Sequence, residues 1–200
     1  MKKLLYTLLV VSIIFSACKK EEEEPTNNTN NNNSGNTTNL AIGDTHQGGI
    51  IFYLDASGGG LIAAPSDQSS DAEWGCSGTA ISGADGMAIG TGYQNTIDIE
   101  AGCTTLFTAA DICANLTLGG YSDWFLPSKD ELNEMYVNLH QQGLGDFANS
   151  AYWNSTEPSV DLGNPGLDIS CAWSQNFQNG SQSDGRARNN PSYVRAVRRF

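Results

Sequence analysis

Gly119–Leu139 reads GGYSDWFLPSKDELNEMYVNL, and the fold follows from how this stretch is read. Pro127 ends an extended aromatic run. Ser128 stands three residues before Glu131, the spacing at which a hydroxyl and a carboxylate cap a helix start reciprocally. Leu132, Met135, Tyr136 and Leu139 then fall at i, i+3, i+4 and i+7, a stripe that faces a core, while Lys129, Asp130, Asn133, Glu134 and Asn138 point outward. Tyr121, Trp124, Phe125 and Leu126 lie just upstream and are the natural partners of the stripe. The helix is expected to end near Gln142–Gly143.

Working back from this helix, Thr108–Leu118 reads as an earlier one, with Ala109, Ile112, Cys113 and Leu116 on one face and Gly119–Gly120 as its stop. Further upstream, Gly49–Leu54 and Leu61–Ala64 are apolar runs separated by a Gly-rich turn, the pattern of a β-hairpin with a longer loop. Between hairpin and helix, Ser66–Gly102 has little periodicity and reads as a long ordered loop anchored by Trp74; such a loop needs a brace or a task. Downstream come short strands at Tyr152–Ser155, Cys171–Phe177 and Tyr193–Val197, separated by turns rich in Gly, Asn and Pro. On the last strand Tyr193, Arg195 and Val197 share a face. Arg195 is expected to pair with Glu157 or a nearby Asp, because a buried unpaired charge is costly. The pattern predicts an α+β domain: two helices packed on short, mostly antiparallel strands with long ordered loops.

The 200 residues leave room for one domain after a targeting segment. Met1-Lys2-Lys3 and the short apolar run Leu4–Ala17 have the form of a secretory signal, too short for a comfortable membrane span. Phe15-Ser16-Ala17-Cys18 resembles a bacterial lipobox, which makes Cys18 the expected lipidation site; acyl chains there would bind a membrane by about 0.8 kcal/mol per buried methylene. Lys19-Lys20 and Glu21–Glu24 follow, a solvated charge block that resembles the export signal carrying Bacteroidetes-type lipoproteins to the outer face of the outer membrane. Thr26–Asn39 is almost wholly polar and reads as a disordered tether; counted from Lys19 to Asn39 as a flexible coil, it reaches roughly 25 Å. The expected division is a signal peptide over residues 1–17, a lipidated tether over 18–40 and a domain over 41–200.

Setting aside Cys18, four cysteines remain in a chain read as exported, so disulfides are expected. Cys76 with Cys103 would bracket the loop, and Cys113 with Cys171 would tie the first helix to a late strand. A reduced Cys113 buried in the core is the alternative to the second bridge.

The net charge of −12 disfavours nucleic acid as a partner. No Gly-x-Ser-x-Gly, HExxH or phosphate-cradling GxxxxGK motif is present. The two histidines, His46 and His140, read as a structural residue and a solvated one, and no Cys or His pair has zinc-ligand spacing. Catalytic residues, cofactors and metals are therefore not expected. Should the chain be an enzyme, Asp123 or Glu157 would have to meet in a pocket.

YSDWFLPSKDELNEMY, followed by YWNSTE, AWSQNF and YVRAVR, resembles the DUF1566 family of bacterial surface proteins, also called the Lcl C-terminal domain, from about Gly43 onward. That resemblance implies a C-type-lectin-like fold, similar also to formylglycine-generating enzymes. Glu157-Pro158-Ser159 and Trp153-Asn154-Ser155 only partly resemble the calcium motifs of sugar-binding lectins and stand in the reverse order, so calcium is not expected.

The remaining candidate is Asn176–Asn190, NFQNGSQSDGRARNN, a polar turn-forming segment flanked by Trp173 and Tyr193. Trp173, Asn176, Gln178, Asn179, Ser181, Gln182, Asp184, Arg186, Arg188, Asn189 and Asn190 are the candidate ligand-binding residues. The expected partners are an external protein or glycan and, through Cys18, the membrane.

Overall fold

The computed structural model describes residues 39–158 and 169–200. The signal segment, Cys18 and the tether up to residue 38 lie outside the described residues, as does Ser159. Asn39–Phe200 closes on itself as one compact unit with its own core. Among the described residues no helix is long and apolar enough to cross a membrane.

The fold is α+β. Strands β1 (Thr45–His46), β2 (Gly49–Leu54), β3 (Gly60–Ala63) and β4 (Ser69–Ala72) precede helices α1 (Gly92–Gly102), α2 (Ala109–Ala114) and α3 (Lys129–Asn138), and a 3₁₀ turn at His140–Gln142 extends α3. Then come β5 (Ala151–Trp153), β6 (Cys171–Asn176), β7 (Gln182–Ala187), β8 (Ser192–Val194) and β9 (Val197–Arg199). One antiparallel sheet has the order β1-β2-β3-β9; the other runs β4-β8-β5-β6-β7, with β5 and β8 parallel at Tyr152 and Tyr193.

The predicted hairpin is β2–β3, with Leu54 opposite Gly60. Its turn is organised by Asp55, whose Oδ1 accepts from Ser57 N (2.8 Å), Ser57 Oγ (2.6 Å) and Gly59 N (3.0 Å). These bonds hold the carboxyl below its ordinary value.

Helix α3 begins with the predicted capping box: Ser128 Oγ accepts from Glu131 N, and Glu131 Oε2 accepts from Ser128 N at 2.7 Å. Leu132, Met135 and Leu139 are fully buried with Phe52, Phe125, Tyr152 and Phe177. The upstream aromatics divide between two cores, since extended backbone alternates its sides: Phe125 faces the α3 cluster, whereas Trp124 and Leu126 join Trp74, Trp153 and Ile99 in the larger one.

The expectation for Ser66–Gly102 is corrected. Strand β4 and the 11-residue helix α1 occupy part of what read as loop. Helix α1 buries Gly92, Asn95, Thr96 and Ile99, a helical spacing whose members are mostly not apolar. Polar bonds take the place of greasy contacts: Asn95 Nδ2 donates to Gly86 O (2.6 Å), and Thr96 Oγ1 accepts from Leu126 N (3.1 Å). Gly92 is needed for the close approach to α3, because a Cβ there would lie 2.6 Å from Ser128 N.

Three further expectations change. Helix α2 stops at Ala114, with Asn115 donating to the Asp111 carboxylate, rather than running to Leu118. The final strand is two, β8 and β9 in different sheets, because the chain crosses between them at Arg195–Ala196. Of the disulfides, Cys76–Cys103 is formed; Cys113 is a buried thiol in the core cluster that holds Ile99 and Trp74, so the bridge from Cys113 to Cys171 is not made. Burial pushes the Cys113 thiol far above its ordinary range, with Glu100 adding to the shift.

Arg195 is buried, as its strand position predicts, and its partner is Asp67. Nε donates to Asp67 Oδ1 (2.7 Å) and Nη1 to the carbonyls of Ala64 (2.9 Å) and Gly145 (2.7 Å), with the guanidinium 4.0 Å above the Phe147 ring. Tyr152 Oη donates to the other Asp67 oxygen at 3.0 Å. Such a network is secure only when every member is satisfied, and here Arg195, Asp67 and Tyr152 are.

Candidate functional site

Asn176–Asn190 folds as a hairpin, not a loop: β6 and β7 are joined by a turn at Phe177–Ser181, and β7 is the edge of the five-stranded sheet. Asn176 N bonds to Ser181 O (2.9 Å) across the turn, and Gln178 N to Asn176 Oδ1 (2.8 Å). Gly180 closes the turn at φ +77° against the Tyr136 ring, 2.5 Å from where a Cβ would stand. Phe177 anchors the base of the hairpin, fully buried against Tyr152 at 4.5 Å between ring centres.

Strand alternation then sorts the side chains into two faces. One face meets α3. Gln175 Nε2 donates to Asn133 Oδ1 (3.0 Å), Gln182 Nε2 to Lys129 O (3.0 Å), and Lys129 Nζ lies 5.1 Å over the Trp173 ring. Trp173 and Gln182 are thereby framework residues. Asn154 Nδ2 and Trp173 Nε1 are buried without a hydrogen-bond partner among the described residues.

The other face opens as a hollow of about 410 Å³. Ala151 on β5, Ser174 on β6, and Ser183 and Gly185 on β7 supply its small-residue floor, and Asn176, Ser181, Arg186 and Asn190 add the polar rim. The registers bring them together: Ala151 is opposite Asn176 and Ser174 opposite Ser183. Arg186 is held for this role. Its Nε donates to Ser192 Oγ (2.6 Å), its Nη2 to Pro191 O (2.7 Å), and its guanidinium stacks 5.4 Å from the Trp153 ring. Partial burial lowers its pKa, yet an arginine keeps its charge across working pH.

The candidate residues thus divide. Asn176, Ser181, Arg186 and Asn190 converge on the hollow. Gln178 and Asn179 are exposed at the hairpin tip, and Asp184 and Asn189 are exposed outside the lining. Arg188 is corrected outright: it is 0% exposed and belongs to the core. It pairs with Glu157, donates to Cys171 O (2.9 Å) and Thr79 O (2.8 Å), and lies 4.2 Å over Trp74. Ser174, Ser183, Gly185 and Ala151 were missed. Their signal was the alternation of small residues along two adjacent strands, legible only once the hairpin register is known.

The other chemistry candidates are drawn into the framework. Glu157 gives one oxygen to Arg188 and accepts Ile81 N (2.9 Å) with the other. Asn154 Oδ1 accepts from Thr156 N (3.0 Å). Asp123 pairs with Arg198 and borders a separate cleft of about 350 Å³ whose lining does not include Glu157, so the two carboxylates do not meet. Among the described residues no group of three His, Cys, Asp or Glu stands where it could hold a metal ion. His46 packs edge-on against Phe200 at 4.5 Å, while His140 sits among Tyr136, Phe147 and Phe177 rather than in open solvent.

Fold and hollow together define an α+β domain with a rigid sheet that carries a polar recess at one edge. The chain belongs to the Lcl C-terminal domain family, whose profile matches residues 66–198, well over half of its length. No curated protein matches it significantly.

Proposed function

We propose that this chain is a surface lipoprotein whose C-type-lectin-like domain binds an external protein or glycan in the β6–β7 hollow, without catalysis. Acyl chains on Cys18 hold it to the outer membrane, and the polar tether of residues 18–40 carries the domain clear of the lipid. The observation that supports the reading is the recess of about 410 Å³ whose rim of Asn176, Ser181, Arg186 and Asn190 is fixed to sheet and turn rather than to a mobile loop. Pre-set polar groups around a concave floor bind with little ordering cost. The engagement of Glu157 and Asp123 by arginines favours binding over carboxylate chemistry.

The test is glycan and protein array binding by the Asn39–Phe200 unit, beside Ser183→Trp, which fills the recess from its exposed floor, and Gln178→Ala at the hairpin tip. Binding by the wild type and Gln178→Ala, lost in Ser183→Trp, is the expected result. A signal unchanged in Ser183→Trp refutes the site.

A further inference from the structure

Among the described residues, the two most exposed large apolar side chains are neighbours in the chain: Leu106 is 69% exposed and Phe107 78%. They are not on a slack loop. Cys103, three residues before Leu106, is bridged to Cys76; Thr105 Oγ1 touches Cys76 Sγ at 3.5 Å; Phe107 N donates to Asp111 Oδ2 at 2.6 Å; and Thr108 caps α2. Phe107 is held at φ +62°, a backbone conformation that L residues with bulky side chains seldom adopt. A braced loop therefore keeps an apolar pair pointing into water.

On the outward face of α1, the helix that leads into this braced loop, Tyr93 and Ile97 stand one turn apart, 51% and 42% exposed, and share a cleft with Glu100. Ile89, just before the helix, is exposed as well. Clustered exposed apolar groups of this kind mark interaction surfaces, whereas scattered ones do not.

Charge says what covers it. Between Lys20 and Lys129 the sequence has no Lys or Arg. Asp98, Glu100 and Asp111 lie on or beside the patch, and none of them is in an ion pair among the described residues. Burial, with the like charge of Asp111 adding to it, raises the Glu100 carboxyl above its ordinary value. The rim is anionic at the Leu106–Phe107 end, through Glu100 and Asp111, while Arg199 lines the cleft at the Tyr93 end; the anionic end opposes an anionic bilayer and complements a cationic surface.

We propose that Leu106–Phe107 and the outward face of α1 form a docking surface for a basic amphipathic protein segment, apolar on one side and bordered by Lys or Arg. Phe107 and Leu106 enter the apolar side, while Asp98, Glu100 and Asp111 meet the basic border. This surface is separate from the β6–β7 hollow, and each can fail without the other.

The probe is a fluorescein-labelled synthetic helix with leucine on one face and lysine on the other, titrated into the Asn39–Phe200 unit, with a leucine–glutamate helix as its counterpart. The expected result is saturable binding of the lysine helix alone. Leu106→Ser/Phe107→Ser weakens that binding by at least about tenfold, as loss of two buried apolar side chains requires. Raising salt from about 0.05 to 0.3 M weakens it further, and Ser183→Trp leaves it unchanged. Because both side chains are exposed, the double variant keeps the wild-type melting temperature. Absence of binding, equal binding by the double variant, or equal binding of the glutamate helix overturns the proposal. So does sedimentation of the unit as a dimer that the double variant dissociates, or capture of the wild type by phosphatidylcholine vesicles that the double variant escapes.

Discussion

Arg188→Met is the most informative single substitution, because Arg188 lies in a segment that is polar in sequence yet is wholly enclosed. Methionine keeps much of the apolar volume over Trp74 but withdraws every donor. Glu157 would keep Ile81 N at 2.9 Å but lose its guanidinium, and the carbonyls of Cys171 and Thr79 would lose the Arg188 donors. Breaking a buried ion pair from one side costs about 3 to 5 kcal/mol, since the remaining charge is stranded. Against a total stability of roughly 5 to 15 kcal/mol this is a large fraction. At roughly 2 to 4 °C per kcal/mol, the melting temperature should fall by about 6 to 20 °C. Adding Glu157→Gln removes the stranded charge, so the double variant should be more stable than the two single losses summed, by at least about 1 kcal/mol. Calorimetry of the Asn39–Phe200 unit reads both numbers. A fall of less than about 2 °C for Arg188→Met would refute the framework role.

Gly92→Ala should destabilise by about 1 to 3 kcal/mol, because its methyl would meet Ser128 N at 2.6 Å and Leu126 O at 2.9 Å; thermal denaturation checks it. Burial raises the Glu131 carboxyl above its ordinary 4.5 although Ser128, Gly90 and Gly92 donate to it. The folded state therefore holds that proton more tightly than the unfolded one. This contribution is full below the ordinary value and lost as pH rises through the raised one, so the stability advantage of wild type over Glu131→Gln should narrow between acid and neutral pH. Cys113 should resist iodoacetamide in the folded protein and react only in denaturant, as peptide mass mapping would report. Labelled palmitate should enter the full chain through Cys18 and fail to enter Cys18→Ser; equal labelling of both would remove the proposed anchor.

What the sequence made legible was whatever rests on apolar spacing and local capping. The capping box at Ser128 and Glu131, the Leu132–Met135–Leu139 stripe, the β2–β3 hairpin and the Cys76–Cys103 bridge all leave short-range marks. Helix α1 left none, because its buried face is Gly92, Asn95, Thr96 and Ile99, and hydrogen bonds to Gly86 and Leu126 take the place of apolar contacts. The fate of polar residues was the other blind spot. Arg186 and Arg188 are two apart, yet one borders a recess and the other lies in the core, a difference set by Glu157 and Trp74 from distant parts of the chain. The candidate segment Asn176–Asn190 folds as one hairpin arm and its turns. Its division into rim, tip, α3-facing and core residues needed the β6–β7 register.

The central claim is that the β6–β7 recess receives an external ligand, and amide chemical-shift mapping of the Asn39–Phe200 unit with an array-identified ligand tests it most directly. Saturable shifts should centre on Ser174, Asn176, Ser181, Ser183 and Asn190 and vanish in Ser183→Trp. Shifts centred instead on the cleft of Tyr93, Asp123 and Arg199, with the hairpin unmoved, would contradict it.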